Sequence, residues 1–313
     1  MFKNKEYILA VYKEGGFTKA AEKLFISQPS LSASVKRIEE KIGSPIFDRS
    51  ATPLTLTEAG REYIRCANEI ERSEEDFAKQ LSDLQNLTTG EIKIGGSSFF
   101  SSFILPHLIS KFNETYEKII FGIYEGNTKN LLAKLHGSEI DLVIDNATIT
   151  DDNIISIPYI SEKLLLAVPK NFRVNDKLSR FRMSAKDIKS EKHHKYPVAP
   201  ILLFENEPFV LLNHDNDTGK RAEKLFKSEG INPKIIFRLE QQLSAYNISC
   251  TGMGISFVSD TLVKRTQSSD EVYYYNIQKE FGERNIYFYR RKNSYQSFAC
   301  KKFIEYSTQN LLK

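Results

Sequence analysis

The sequence predicts an α/β protein built from three parts: an all-α winged helix-turn-helix domain at residues 1–57, a long helix at residues 58–89, and a two-lobed α/β domain at residues 90–313. Three observations support this division. Short helical patterns joined by a brief turn open the chain, and one long helical pattern follows them. After it, short β-branched runs alternate with helical periodicity, which indicates parallel strands joined by helical crossovers. A length of 313 residues accommodates two or more such domains.

Within the amino-terminal domain, three helices and a small two-stranded wing are expected. The first helix, near residues 6–12, ends at a pair of glycines, and Thr18 caps the second because threonine suits that position. Ser27 caps the third helix, and Pro29 occupies a first-turn position where its missing N–H costs little. Two helices joined by so short a turn form a helix-turn-helix. Alternating leucines beside a proline then favour a wing at residues 48–56.

A single long helix is expected from Thr57 to about Leu87. Its apolar residues follow a repeat of four and three positions, which is typical of a coiled coil, and Glu74 is the one polar exception. Such a helix either pairs with a second copy or packs as an amphipathic helix on its own domain. Pairing is favoured, because a helix between two domains has little surface of its own chain to cover. The predicted dimerisation residues are Tyr63, Ala67, Ile70, Phe77, Leu81 and Leu84.

The remaining ~220 residues contain two successive series of strands and helices. Two series predict two α/β lobes with a cleft between them. Lobe I is expected at about residues 90–161 and 268–313, and lobe II at about residues 162–267. A basic and polar stretch at residues 176–196 is expected to be a loop with one short helix.

Charge and composition narrow the class of protein. The net charge is +4, but residues 1–65 carry +3 and residues 66–89 carry −4, so a mildly basic head precedes an acidic helix. The three cysteines lie far apart, which excludes a disulfide framework and a CxxC metal pair and leaves a redox sensor as a minor alternative. No apolar stretch reaches the ~20 residues of a membrane span, and the first residues lack the pattern of a signal peptide. We therefore expect a cytoplasmic protein.

Five ordered motifs of the amino-terminal domain carry a specific resemblance. Their residue types, order and spacing are similar to those of the winged helix-turn-helix of LysR-type transcriptional regulators, and they cover nearly all of residues 2–61. Weaker motifs further along resemble landmarks of the family's effector-binding domain and occur in the family's order. The five are FTKAAEKL at 17–24, SQPSLS at 27–32, IEEKIG at 38–43, PIFDR at 45–49 and LTEAG at 56–60; the weaker ones are LP at 105–106, EGNT at 125–128, EIDLVI at 139–144 and GMGI at 252–255.

This resemblance implies a fold and a function. The carboxy-terminal domain would be similar to type 2 periplasmic-binding proteins and would hold a small-molecule co-inducer in its cleft, with no other cofactor and no enzymatic activity. The protein would bind double-stranded operator DNA as a homodimer or homotetramer, contact RNA polymerase, and have no membrane partner. Effector binding would change the angle between lobes and dimers, and with it the spacing of the DNA-binding heads.

The residues expected to contact DNA lie on the second helix of the helix-turn-helix and beside it. That helix enters the major groove with its amino-terminal residues leading. Gln28 can pair with adenine and Pro29 can contact a thymine methyl, whereas Lys36 and Arg37 are better placed to neutralise phosphates. Many relatives carry a long side chain where this sequence has Ala33, so a guanine contact is not expected there. The full predicted set is Thr18, Ser27, Gln28, Pro29, Ser30, Ser32, Ala33, Lys36, Arg37 and Arg49, the last of which resembles the wing residue that reaches the DNA backbone or minor groove.

The effector residues are expected where strands end and helices begin, since ligands of open α/β sheets bind at the carboxyl ends of strands. Hydroxyls and free helix N–H groups at two such ends would favour a carboxylate or another anion. The same side chains can instead be helix caps. The predicted residues are Ser97, Ser98, Phe99, Thr128 and Asn146 from lobe I, and Phe209 with the turn at 213–218 from lobe II.

An enzyme is the alternative class, namely a bilobed α/β ligand-binding enzyme with an accessory DNA-binding head. The five histidines form no HExxH motif and join no cysteine at ligand spacing, and neither a Walker nor a GxSxG motif is present. Fold alone does not exclude an enzyme. The ordered motifs between residues 17 and 60 therefore decide in favour of a regulator.

Overall fold

The computed structural model describes residues 1–50, 53–85, 90–267 and 269–309. They form two compact units, Met1–Leu81 and Ser82–Lys313. We call the first the head and the second the regulatory unit. Among the described residues, no helix combines the length and the apolar character needed to cross a membrane.

The head has the predicted winged helix-turn-helix. Its third helix begins after Ser27, whose hydroxyl accepts the Ser30 N–H at 3.4 Å, and stops at Gly43, whose φ of 78° suits glycine. Thr18 is not a cap: the second helix begins at Phe17, after Gly16, so Thr18 lies inside it, and no side chain caps it. The elements are α1 (Lys5–Glu14), α2 (Phe17–Lys23), α3 (Gln28–Ile42), the antiparallel strands β1 (Phe47–Asp48) and β2 (Thr55–Leu56), and α4 (Glu58–Gln85).

The core of the head includes the first part of α4. Tyr63 is 5% exposed and Ala67 is fully buried, and both belong to the cluster formed by the apolar faces of α1 and α3. Further along α4, Glu74 binds Lys5 at 2.8 Å, so α4 is also tied to α1. The prediction that Tyr63 and Ala67 face a second copy is therefore wrong. A repeat of four and three positions marks an apolar face without saying what covers it.

The regulatory unit is built on one nine-stranded mixed sheet. Its strand order is β4-β3-β5-β11-β6-β9-β7-β8, with β10 also paired to β6. The strands are β3 (Gly90–Gly96), β4 (Ile119–Glu125), β5 (Leu142–Asp145), β6 (Ile154–Pro169), β7 (Pro208–Leu212), β8 (Lys234–Leu239), β9 (Ile255–Ser259), β10 (Val272–Asn276) and β11 (Glu283–Arg291).

Strand β6 is shared by both lobes. Its first part, up to Lys163, pairs with β11, and its last part pairs with β9 and β10. The chain therefore passes between lobes twice, once within β6 and once at the start of β11. The predicted second passage near residue 268 is wrong, because β10 pairs with the lobe II part of β6 and the passage comes after it, near Glu283. Strand periodicity does not reveal which lobe a strand joins.

Helices cover the sheet and begin near the ends of its strands. A π-helical turn at Phe100–Ile104 leads into α5 (Leu105–Asn113), so the helix after β3 starts directly at the strand end. The others are α6 (Thr128–His136), α7 (Ala185–Lys189), α8 (Asp217–Ser228), α9 (Gln242–Cys250), α10 (Asp260–Arg265), α11 (Lys279–Gly282) and α12 (Phe298–Gln309). The predicted loop at 176–196 contains α7 and a 3-10 turn at Lys192–Lys195.

Candidate functional site

Helix α3 separates an apolar face from a polar one. Leu31, Val35 and Ile38 are buried in the core of the head. Six predicted DNA-contact residues on the same helix are exposed, and the surface they form is available to a partner. They are Gln28, Pro29, Ser30, Ala33, Lys36 and Arg37. Thr18 and Ser27 are exposed as well, whereas Ser32 is half-buried.

Arg49 is held beside the start of the wing by two contacts. Its guanidinium lies 3.2 Å from Glu39 Oε2 and 5.1 Å from the centre of the Phe17 ring. The other oxygen of Glu39 accepts the backbone N–H of Ile46 at 2.8 Å, which fixes the chain between α3 and the wing. Sequence reasoning missed Glu39, because an acidic residue on a helix gives no sign of what it organises. Arg49 remains half-exposed and keeps N–H groups for another acceptor.

A cavity of about 600 Å³ lies between the two lobes of the regulatory unit. Lobe I contributes the ends of β3 and β5 and the first turns of two helices, and lobe II contributes the loops before α8 and α9. Four predicted effector residues line it: Ser97, Phe99, Thr128 and Asn146. From the predicted turn at 213–218, Asp215, Asn216 and Thr218 also line it. The strand-end rule therefore located this cavity.

Two predicted effector residues lie elsewhere. Phe209 is fully buried in the core of lobe II, with its ring 5.1 Å from that of Phe226, so its assignment to the cavity is wrong. Alternate residues of β7 point to opposite faces of the sheet, and Leu212 lines the cavity instead. Ser98 follows Ser97 at the helix start but is not among the residues that line the cavity.

Asp145, the last residue of β5, is the most buried charged side chain on the cavity wall. It is 5% exposed and accepts three hydrogen bonds, from the Thr128 hydroxyl at 2.8 Å and from the N–H groups of Asn146 at 2.7 Å and Ala147 at 2.9 Å. Burial raises the pKa of Asp145, and the hydrogen bonds oppose this rise. Sequence reasoning missed it, although an acidic residue at the end of an apolar strand was a visible signal.

A network of hydrogen bonds around a buried ion pair links the two lobes next to this cavity. Arg284 and Glu162, cross-strand partners on β11 and β6, are each 1% exposed in their side chains and meet at 2.7 Å. Arg284 also binds Asp217 at 3.0 Å and the Thr218 hydroxyl at 2.8 Å, both on lobe II. From lobe I, the Asn146 amide donates to Glu162 at 3.1 Å. The pair is thus connected to Asn146 and Thr218, which line opposite sides of the cavity.

Groups for other chemistry are sparse in the part of the chain that the structure describes. No cluster of three or more His, Cys, Asp or Glu side chains suited to a metal ion occurs there. Cys66, Cys250 and Cys300 form no disulfide, and Cys300 is buried.

Two family models match the chain. Residues 2–61 match the "Bacterial regulatory helix-turn-helix protein, lysR family" and residues 85–312 match the "LysR substrate binding domain". A relative from Bacillus subtilis (strain 168), the uncharacterized HTH-type transcriptional regulator YcgK, is 28% identical over 306 residues, which is 98% of this chain and 93% of the relative.

Two solved structures share the fold along almost the whole chain. Full-length OxyR from Pseudomonas aeruginosa, a variant, has a TM-score of 0.69 at 19% identity and covers 96% of this chain and 92% of its own. Full-length CbnR complexed with its target DNA has a TM-score of 0.63 at 18% identity and covers 99% of both chains. The fold of the winged head and the fold of the two-lobed unit are therefore shared with these two proteins.

Proposed function

Because the chain belongs to the LysR family of transcriptional regulators, we propose that it binds an inverted-repeat operator as a dimer or tetramer and responds to a small molecule in the cavity between its lobes. That it is a DNA-binding regulator with an effector-binding domain follows from the family. The operator geometry, the self-association and the effector are our proposal. We also propose that the protein acts in the cytoplasm and contacts RNA polymerase.

The exposed surface of α3 is the observation that carries the DNA-binding part of the proposal. It presents two side chains suited to base edges, Gln28 and Pro29, ahead of the cations Lys36 and Arg37. One head with a charge of only +3 neutralises few phosphates and binds weakly. Two heads of a dimer would bind two half-sites, about one helical turn or a multiple of it apart.

Separate substitutions of Gln28 and Lys36 test this assignment. Gln28→Ala should weaken operator binding about tenfold and leave binding to random duplex DNA nearly unchanged, because a bidentate base contact contributes ~1–3 kcal/mol of discrimination. Lys36→Ala should weaken binding to operator and to random DNA alike, because it removes a phosphate contact. The slope of log affinity against log salt concentration should fall by about one. Fluorescence anisotropy across a salt series measures both, and Lys302→Ala in the regulatory unit serves as a charge-matched control. Equal losses on operator and random DNA for Gln28→Ala would contradict base contact.

Exposed apolar side chains on α4 support self-association. Phe77 is 64% exposed and Leu81 is 44% exposed, and Ile70 lines a shallow groove together with Phe2 and Phe77. Large apolar side chains aligned on one helix face are typical of a surface that a partner covers. Of the other predicted positions, Tyr63 and Ala67 belong to the head core, and the side chain of Leu84 lies outside the described residues.

Phe77→Asp should weaken dimerisation at least thirtyfold, since truncating a central aromatic side chain of an interface costs about 2 kcal/mol or more and the new carboxylate would be desolvated. Sedimentation velocity over a concentration series measures the shift from dimer to monomer. Phe77→Leu retains most of the apolar surface and should dimerise within a few-fold of the original chain. A monomeric original chain, or equal association of both variants, would remove α4 from the proposed interface.

A further inference from the structure

The buried carboxylate of Asp145 lacks a cationic partner. No Lys, Arg or His nitrogen of the described residues is paired with it within 4.0 Å, although it forms part of the cavity wall. Arg284 acts on it through its charge, but that guanidinium is already bound to Glu162 and Asp217. An ionised carboxylate withdrawn from water without a counter-ion costs several kcal/mol. The cavity lined by Asp145 has room for a cationic group of a ligand.

The oxygens around Asp145 offer acceptors to a ligand. The hydrogen of the Thr128 hydroxyl is donated to Asp145, so this hydroxyl can only accept a hydrogen bond from a ligand. The Asn146 amide nitrogen donates to Glu162, and its carbonyl oxygen remains available as an acceptor. A carboxylate needs donors, so an anion contact with the Thr128 hydroxyl does not fit this arrangement. A protonated amine, with three N–H donors, does.

Donors line other parts of the same cavity. The helix that begins after Ser97, and α6 after Asn127, start on its wall, and the first N–H groups of a helix have no partner within it. On lobe II, the Thr218 hydroxyl accepts a hydrogen bond from Arg284 at 2.8 Å, which leaves its own hydrogen to donate. These groups suit the carboxylate of a ligand.

We propose that the effector is a zwitterion of the amino-acid type, whose ammonium group pairs with Asp145 and whose carboxylate takes the N–H groups of the helix starts. The inference rests on the proposed function, because it names the ligand class of the same cavity. Binding supplies the counter-ion that Asp145 lacks, and the apolar side chains of Leu132, Ile149 and Leu212 enclose the rest of the ligand. A ligand touching both Asp145 on lobe I and Thr218 on lobe II holds the two lobes together.

The test compares matched compounds on the full-length protein by thermal shift and calorimetry. The twenty L-amino acids are screened beside their deamino carboxylic acids and their decarboxylated amines. At least one amino acid should raise the melting temperature, whereas its deamino and decarboxylated counterparts should bind at least thirtyfold more weakly. Asp145→Asn, which keeps the shape and removes the charge, should weaken binding of that amino acid by a similar factor. Asp152 is exposed and lies outside the cavity, so Asp152→Asn removes the same charge elsewhere. This variant should bind the amino acid as tightly as the original chain does.

The outcomes separate this inference from the proposed function. If a deamino acid binds as tightly as its amino acid, or if Asp145→Asn binds the amino acid normally, the inference is overturned while the effector cavity stands. If no amino acid binds, the inference is also overturned. Operator binding by the same preparation judges the proposed function independently. The unliganded Asp145→Asn protein should melt no lower than the original chain, since it loses an uncompensated buried charge; a lower melting temperature together with normal binding would count against the inference.

Discussion

Arg284→Met is expected to lower the free energy of unfolding of the regulatory unit by about 3–5 kcal/mol, because removing one partner of a buried ion pair strands the other charge. Glu162, 1% exposed in its side chain, would keep the Asn146 amide as its one donor among the residues that the structure describes. Asp217 would retain Arg221 at 2.8 Å, so the loss falls on Glu162. Urea unfolding of the full chain, followed by circular dichroism, measures the change.

A surface ion pair provides the control for this variant. Lys302 binds Glu305 at 2.7 Å with side chains 35% and 52% exposed, and Lys302→Met should change the free energy of unfolding much less, because solvent screens exposed ion pairs. The double variant Arg284→Met with Glu162→Leu should recover much of the lost stability, since no buried charge is left unpaired. If Arg284→Met lowered the free energy of unfolding no more than Lys302→Met does, the pair of Arg284 and Glu162 would be accessible to water.

Gly60→Ala is expected to destabilise the head by about 3 kcal/mol or more and to abolish operator binding near 37 °C. A Cβ atom at residue 60 would lie 2.0 Å from the carbonyl oxygen of Ile46, which is backbone and cannot rotate away. The start of α4 is fixed at this place, because Thr57 donates its N–H to the same oxygen at 3.0 Å and its hydroxyl to Pro45 at 2.6 Å. Relief of the clash would separate α4 from the wing.

Gly16 supplies the matched substitution in the same unit. Its backbone is extended, and a Cβ there would meet nothing within 4 Å. The free energy of unfolding of Gly16→Ala should therefore lie within about 0.5 kcal/mol of that of the original chain. Thermal unfolding and operator binding of both variants are compared side by side. Equal behaviour of the two variants would show that the close approach at Gly60 is not rigid.

Local signals made most of the fold predictable. Helix α3 begins after Ser27 and ends before Gly43, as the capping preferences of serine and glycine predict. The two wing strands lie on either side of the proline at residue 53. The full extent of β6 was not predictable, because its first part contains Pro158, Ser161 and Glu162 and has no apolar run. Its strand character comes from pairing with β11, more than a hundred residues later in the chain. Pairing of that kind leaves no local pattern.

The site was predictable where it depends on topology and unpredictable where it depends on long-range partners. Ser97 and Thr128 follow strands β3 and β4, so the strand-end rule placed them on the cavity wall. The prediction for Phe209 was wrong because the rule locates the end of a strand but does not say which of its side chains point to which face of the sheet. Glu162 and Arg284 are 122 residues apart, and neither residue signals the other in the sequence.

Strand β6 and the start of β11 connect the two lobes of the regulatory unit. Any rotation of one lobe against the other turns about the line where β6 and β11 leave one half of the sheet for the other, near Lys163 and Glu283. Atoms on this axis would travel least, so we expect such a rotation to leave the contact between Glu162 and Arg284 intact. The cavity rim is farther from the axis and travels most. A ligand that closes the rim by a small angle would therefore move the far ends of both lobes in proportion to their distance from this axis.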